Sequence, residues 1–269
     1  MKKDNQGLGD YTEKIGRQTV AGIEEVGNGG FLLLESFYWL FMGPVKKQPV
    51  RFGAVVAQMM EIGVQAIPLI AMMAGTIGAM MAMQSIYMLR IFGAESQVTY
   101  GVAFSVVREF APLITGILVA GRSGSALAAR LGTMKISQEI DALKVMGINP
   151  VRFLVVPALL AMLVMVPALT IFNMMVGMLC AGLYINADLG ISLAAYSEQV
   201  IDILSVGDLI HGVGKSALFA VLIALIGVIN GASVTGGAEG VGKVTTRAVV
   251  QAISAIIVTD MLFAFMATR

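Results

Sequence analysis

Arg108 and Glu109 stand side by side in an otherwise apolar run, residues 101–121, which leads into Gly121-Arg122-Ser123-Gly124. A charge at the centre of a membrane helix costs about 2.5–3.5 kcal/mol on insertion scales. Such a pair must therefore face protein, water or a polar ligand. Adjacent residues project about 100° apart on a helix, so the two charges do not pair with each other. Pro112 removes the N–H that the Arg108 carbonyl would otherwise receive, leaving a polar acceptor at the same depth. Asp260, inside a later apolar run, is a candidate counter-charge. Two readings stand. The charges form structural pairs, or they line a path, for instance an ion or proton relay through Arg108, Glu109 and Asp260.

Two other motifs suggest enzyme chemistry, and both fail on placement. Gly212-Val213-Gly214-Lys215-Ser216 resembles a phosphate loop, but the required earlier glycine is Leu209, and the motif opens an apolar run. Gly121-Arg122-Ser123-Gly124 matches the GxSG motif of rhomboid-type intramembrane proteases, with His211 as the lone candidate base. A Ser–His dyad requires hydrogen-bond reach, whereas these two residues are expected at opposite ends of their spans, about 30 Å apart. Gly121, Ser125, Ala128 and Gly132 read instead as small residues for close helix packing. One His and one Cys, Cys180 in an apolar run, provide neither a metal cluster nor an internal disulfide. No catalytic or nucleotide-binding residue is assigned.

The elements that position these residues follow from composition. Hydrophobic residues make up 57% of the 269, charged residues only 13%, against about 25% in soluble domains. Mean hydropathy is +0.84. The expected fold is an all-α polytopic membrane protein, one domain over 1–269. At roughly 20 residues per span, five spans fit, near 62–88, 101–121, 151–184, 209–233 and 246–266. Pro68 is expected to kink or break the first, and Pro157 and Pro167 to interrupt the third. A net charge of +1 offers no bulk electrostatic case for nucleic acid.

Residues 1–50 form an N-terminal tail and an interfacial helix, and 51–269 the transmembrane bundle. Gly27-Asn28-Gly29-Gly30 is expected to end the tail. Residues 31–43, with Glu35, Tyr38 and Trp39, are too short to cross and carry the aromatics that favour the headgroup layer. No cleavable signal peptide is visible in the polar first 30 residues. Fourteen of the eighteen Lys and Arg fall on one side if the N-terminus is cytoplasmic, among them Lys2, Lys3 and Lys47. The acidic stretch 185–208 and the C-terminus, with Arg269, then face outward.

Between the second and third spans lies a short charged segment, 133–147, read as one helix of about four turns. Ile136, Ile140, Leu143 and Gly147 share a face, with Lys135, Gln138, Glu139 and Lys144 mostly elsewhere. Gly147 and Asn149-Pro150 end it. Such a helix either caps the bundle or receives force from a cytoplasmic partner.

At these residues the chain resembles the MlaE/YrbE permease family of ABC transporters. The resemblance covers about residues 50–266. It rests on Arg108-Glu109-Phe110-Ala111-Pro112, Ala120–Ala126, Glu139–Pro150, Lys215-Ser216 and Gly240–Val250. It implies an inner-membrane homodimer that works with two copies of a cytoplasmic ABC ATPase, the latter using ATP and Mg, with no cofactor on this chain itself. It further implies a periplasmic MCE-domain partner, phospholipid as cargo, a contribution to outer-membrane lipid asymmetry, and room for a small STAS-type subunit. On that likeness the N-terminal helix is an elbow helix and 133–147 a coupling helix, with Lys135, Glu139, Asp141, Leu143 and Lys144 meeting the ATPase. Arg108, Glu109, Tyr100 and Asp260 would line the lipid cavity.

Overall fold

The computed structural model describes residues 4–46 and 48–267; Lys2, Lys3, Lys47 and Arg269 lie outside them. All regular structure among the described residues is helical. Five helical stretches are long and apolar enough to cross a membrane: Phe52–Ile91, Glu95–Ile136, Val151–Leu189, Val206–Ala232 and Gly237–Met266.

The first helix, α1 (Asp4–Val45), runs through the glycines at which a break was expected. Each interior glycine costs roughly 0.5–1 kcal/mol relative to alanine, but here the absence of a side chain permits docking. A Cβ on Gly29 would touch Ile229 at 3.4 Å, so the bare backbone lies against a later span. Further on, Phe31, Leu34 and Phe41 are exposed at 67–71%. They are an apolar face suited to the headgroup layer.

The first span is α2 (Phe52–Ile62) and α3 (Ile67–Ile91), separated by a single 3-10 turn, Val64–Ala66. The break is thus present but falls at Gly63, where a Cβ would lie 2.8 Å from the Met59 carbonyl. Pro68 sits in the first turn of α3, where its missing N–H costs nothing. Ile67 N–H caps the Val64 carbonyl. α3 then packs along the third span, and at their crossing a Cβ on Gly78 would sit 2.1 Å from the Gly177 carbonyl oxygen. Backbone-on-backbone contact of this kind is how small residues join helices in lipid.

The second span does not stop at residue 121. It continues as α4 (Val98–Phe104), a π-helical turn Ser105–Phe110, α5 (Ala111–Val119), a second π turn Ala120–Gly124, and α6 (Ser125–Ile136). The expected close packing holds for part of its small-residue set. Ala128 and Gly132 are buried, and a Cβ on Gly231 would meet the Ala128 carbonyl at 2.8 Å. Gly121 is exposed with open space around it, and Ser125 bonds its own turn through the Gly121 carbonyl.

Residues 133–147 are not one helix. Thr133–Ile136 complete α6, Gln138 takes a left-handed φ of 59°, and only α7 (Glu139–Val145) stands apart. The Ser137 hydroxyl bonds both the Thr133 carbonyl and the Glu139 carboxylate, fixing that corner. Ile136 is consequently separated from the face of Ile140 and Leu143. The stop is where it was expected: Gly147 is left-handed (φ 74°), and Ile148 N–H returns to the Leu143 carbonyl.

The third span, a π turn Val151–Val155 and α8 (Val156–Leu189), is uninterrupted. Pro157 occupies its first turn and Pro167 is carried within it; one turn on from Val166, the Thr170 hydroxyl donates to the Val166 carbonyl. The acidic connection holds a further helix, α9 (Leu193–Ile203), capped by Ser192. A capping box between Ser205 and Asp208 starts α10 (Val206–Ala232). α11 (Gly237–Ala267) begins ahead of the expected Thr246 because left-handed Gly236 and Gly237 complete the turn within a few residues. The core fills the space among α5, α6, α8 and α10 around Phe219, Ile223, Val119 and Met162.

Candidate functional site

The π turn Ser105–Phe110 carries Arg108 and Glu109 at its C-terminal end, and both turn toward α10. Arg108 Nη1 lies 3.6 Å from Asp208 Oδ1, and Glu109 Oε2 lies 2.6 Å from Lys215 Nζ. Asp208 and Lys215 are two turns apart on α10, so one helix face receives both charges. Gly212 between them makes this possible: a Cβ there would be 2.4 Å from the Val107 carbonyl oxygen. In the phosphate-loop look-alike, then, Gly212 is a helix crossing, while Gly214 faces open space.

Lys215 is the centre of the site. Its side chain is 0% exposed; its Nζ donates to Glu109 Oε2 at 2.6 Å and to the Arg108 carbonyl at 3.1 Å, and forms an ion pair with Asp260 Oδ1 at 2.7 Å. That carbonyl is the acceptor freed by Pro112. A buried ammonium held among two carboxylates and a carbonyl ties the second, fourth and fifth spans together. Asp260 therefore pairs with Lys215 rather than with Arg108. Arg108 keeps a side chain 32% exposed and one longer contact, which leaves most of its five donors available. Glu109, 38% exposed, also reaches the edge of the cluster. Tyr100 is half exposed on α4 and makes no hydrogen bond to these groups among the described residues. His211 packs edge-on against Phe263, its Nε2 buried and without a partner. Ser123 lies elsewhere, against Glu61, Gln65 and Arg130, so no Ser–His dyad forms.

At the opposite end of the second span, α7 is braced mainly by its own charges. Asp141 receives Lys144 at 3.2 Å and Lys135 at 3.5 Å. The Lys144 hydrogen bond, then the Lys135 charge, hold the Asp141 carboxyl below the usual carboxylate range. Leu143 is buried, while Val145 and Met146 are 89% and 64% exposed. A second brace joins this corner to α1. Asn149 Nδ2 donates to Glu35 Oε1 at 2.9 Å, and Arg152 lies over the Trp39 ring.

Sequence reasoning missed four members of these sites. Lys215 was set aside with the phosphate-loop pattern, although a lysine in an apolar span is itself a signal. Asp208 was read as part of an acidic loop rather than as a capping residue facing Arg108. Val145 and Met146 were passed over because helical periodicity assigns them to no shared face.

Five helices long and apolar enough to cross a membrane, with an ion cluster held among three of them, define a multi-pass membrane protein. Residues 55–266 match the family described as Permease MlaE, and the chain belongs to that family. Among its relatives is a probable ABC transporter permease protein of Rickettsia typhi, 30% identical over 93% of this chain and 96% of the relative. The intermembrane phospholipid transport system permease protein MlaE of Haemophilus influenzae is 29% identical over 94% and 95%. The chloroplastic protein trigalactosyldiacylglycerol 1 of Arabidopsis thaliana is 39% identical over 60% of this chain and 46% of its own length. Membership of a permease family makes the chain a transport subunit.

Proposed function

We propose that the chain is the membrane subunit of an ATP-driven transporter that moves phospholipid between the inner membrane and a periplasmic MCE-domain protein. The names of the Haemophilus and Rickettsia relatives support phospholipid and ABC coupling respectively. The observation that carries the reading is the division of labour around Lys215. That ammonium is used up internally, which leaves Arg108, at the edge of the cluster, as the cation that takes the headgroup phosphate. Two copies of the chain enclose the cavity, and two copies of a cytoplasmic ATPase supply ATP and Mg chemistry. A small STAS-type subunit completes the assembly. α7 is the coupling helix: its charges hold its shape, and exposed Val145 and Met146 enter the ATPase. The N-terminus is cytoplasmic and the C-terminus periplasmic, and the transport maintains outer-membrane lipid asymmetry.

Photocrosslinking of lipid in the purified complex tests the headgroup role. Arg108→Ala and Glu109→Ala should lower cavity occupancy and weaken the outer-membrane barrier. Full occupancy with a normal barrier in both variants would make the pair purely structural.

One observation favours a second reading. Arg108 and Lys215 face three carboxylates, Glu109, Asp208 and Asp260, an excess that a bound proton would balance, as in a proton-coupled carrier. A carrier of that kind transports without a stoichiometric ATPase, so purification with and without the ATPase separates the two.

A further inference from the structure

A pocket of about 80 Å³ opens between α2 and the start of α6, remote from the Lys215 cluster. Its polar wall is Gln58 and Glu61 on α2 and Gln65 in the 3-10 turn after it, facing Arg122, Ser123 and Arg130. Arg122 reaches across to the Gln65 side chain at 2.9 Å and the Glu61 carbonyl at 3.3 Å, and Arg130 meets the Glu61 carboxylate at 2.5 Å. Arg130 alone is thus paired with a carboxylate, and Arg122 meets only neutral acceptors. The pocket keeps an excess positive charge and several unused guanidinium donors. The Ser123 hydroxyl also lines it. That residue is only 8% exposed, and among the described residues its hydroxyl is given no hydrogen bond. A hydroxyl that opens onto the recess beside a guanidinium without a carboxylate offers an anion a donor and a charge together.

Depth and surroundings narrow the acceptor. At about 1.5 Å per residue, a helix crosses some 30 Å of hydrocarbon in roughly 20 residues. Counted from Tyr100 this reaches Arg122, so the pocket sits where hydrocarbon gives way to headgroups. The other side of α2 exposes Phe52, Val56 and Met60 at 78%, 41% and 53%, spaced four apart, so the helix that walls the recess itself presents an apolar face outward. A cationic recess at headgroup depth suits the anionic head of a phospholipid. The recess itself holds a head and not a whole lipid.

We propose that this pocket is a second anion site, which takes the phosphate group of an anionic phospholipid through Arg122, Arg130 and the Ser123 hydroxyl. It is occupied whether or not the cavity near Arg108 holds cargo.

Native mass spectrometry of the full complex, released from phosphatidylcholine nanodiscs containing a minor share of phosphatidylglycerol, tests the site. Ser123→Ala and Arg130→Gln should each weaken phosphatidylglycerol retention about tenfold, the effect of one charge-assisted hydrogen bond. Ala126→Glu places an acid at the exposed rim without removing an internal contact, so it guards against a folding artefact and should give the same loss. Millimolar inorganic phosphate identifies the source. If it fails to displace the lipid, the ligand is the lipid headgroup; if it displaces the lipid, the site also takes the free anion. The loss caused by Ser123→Ala should persist undiminished in an Arg108→Gln background, which separates the pocket from the cavity. Unchanged retention in all three pocket variants, each folded, would overturn the proposal and leave a hydrated recess.

Discussion

The Lys215 ammonium lies 2.6 Å from the Glu109 carboxylate at a level where the lysine side chain has no exposure at all. Because Asp260 engages the same nitrogen from α11, the interaction is a three-helix junction rather than a pair. Removing the lysine would leave two carboxylates with no cation between them. Lys215→Met is expected to destabilise the bundle by about 3 kcal/mol, the low end for a broken buried pair because Glu109 is partly exposed. Adding Glu109→Gln and Asp260→Asn should recover much of the loss. Thermal unfolding in detergent would show it, and an unmoved midpoint would mean that the junction is not structural.

The crossing of α10 on the second span depends on Gly212, and the sequence offers an internal control. Gly212→Ala forces a Cβ against the Val107 carbonyl and should cost about 1–3 kcal/mol, whereas Gly214→Ala meets nothing within 4 Å. The second change removes a helical glycine and should be neutral or slightly stabilising. Equal unfolding midpoints for the two variants would contradict the crossing.

Val145→Asp and Met146→Asp should leave unfolding within about 0.5 kcal/mol of the parent, because neither side chain is buried. Both should lower the amount of ATPase that co-purifies and the lipid-stimulated ATP hydrolysis. Retained coupling in both would remove α7 from the interface.

Asp141 contributes a pH dependence with a definite sign. Its folded carboxyl titrates below the ordinary value of 3.8, held there by Lys144 and Lys135. The bracing of α7 is therefore complete above that value and lost as pH falls through the depressed pKa. Hydrogen-exchange protection factors at the amides of Ala142 to Val145, taken against the intrinsic exchange rate at each pH, should fall on acidification, and in Asp141→Asn they should be low throughout. An acid response that persists in the variant would point to another group.

Much of the architecture was legible because a membrane leaves few options. Five apolar runs and the flanking charges define five spans, and Pro112 already marked the free carbonyl that Lys215 takes. The failures share a cause. Gly27–Gly30, Pro157 and Pro167 are breakers by local propensity, but α1 gains contact with Ile229 through bare backbone, Pro157 stands in a first turn where it loses no hydrogen bond, and Pro167 is carried inside a helix packed along its length. The end of α6 depended on a left-handed Gln138, a conformation that residue type hardly signals. Lys215 was hidden by a resemblance to a nucleotide motif, and its partners lie in two other helices, beyond the reach of local pattern.

The unbroken run from Glu95 to Ile136 has a mechanical consequence. Only Ser137 and Gln138 separate α7 from a rod that carries Arg108 about 40 Å away, at 1.5 Å per residue. A tilt of α7 by a few degrees would sweep the guanidinium sideways by a few ångströms, with no loop to absorb the motion. The two π turns are the points where such a lever can change its twist, and one of them holds Arg108 itself.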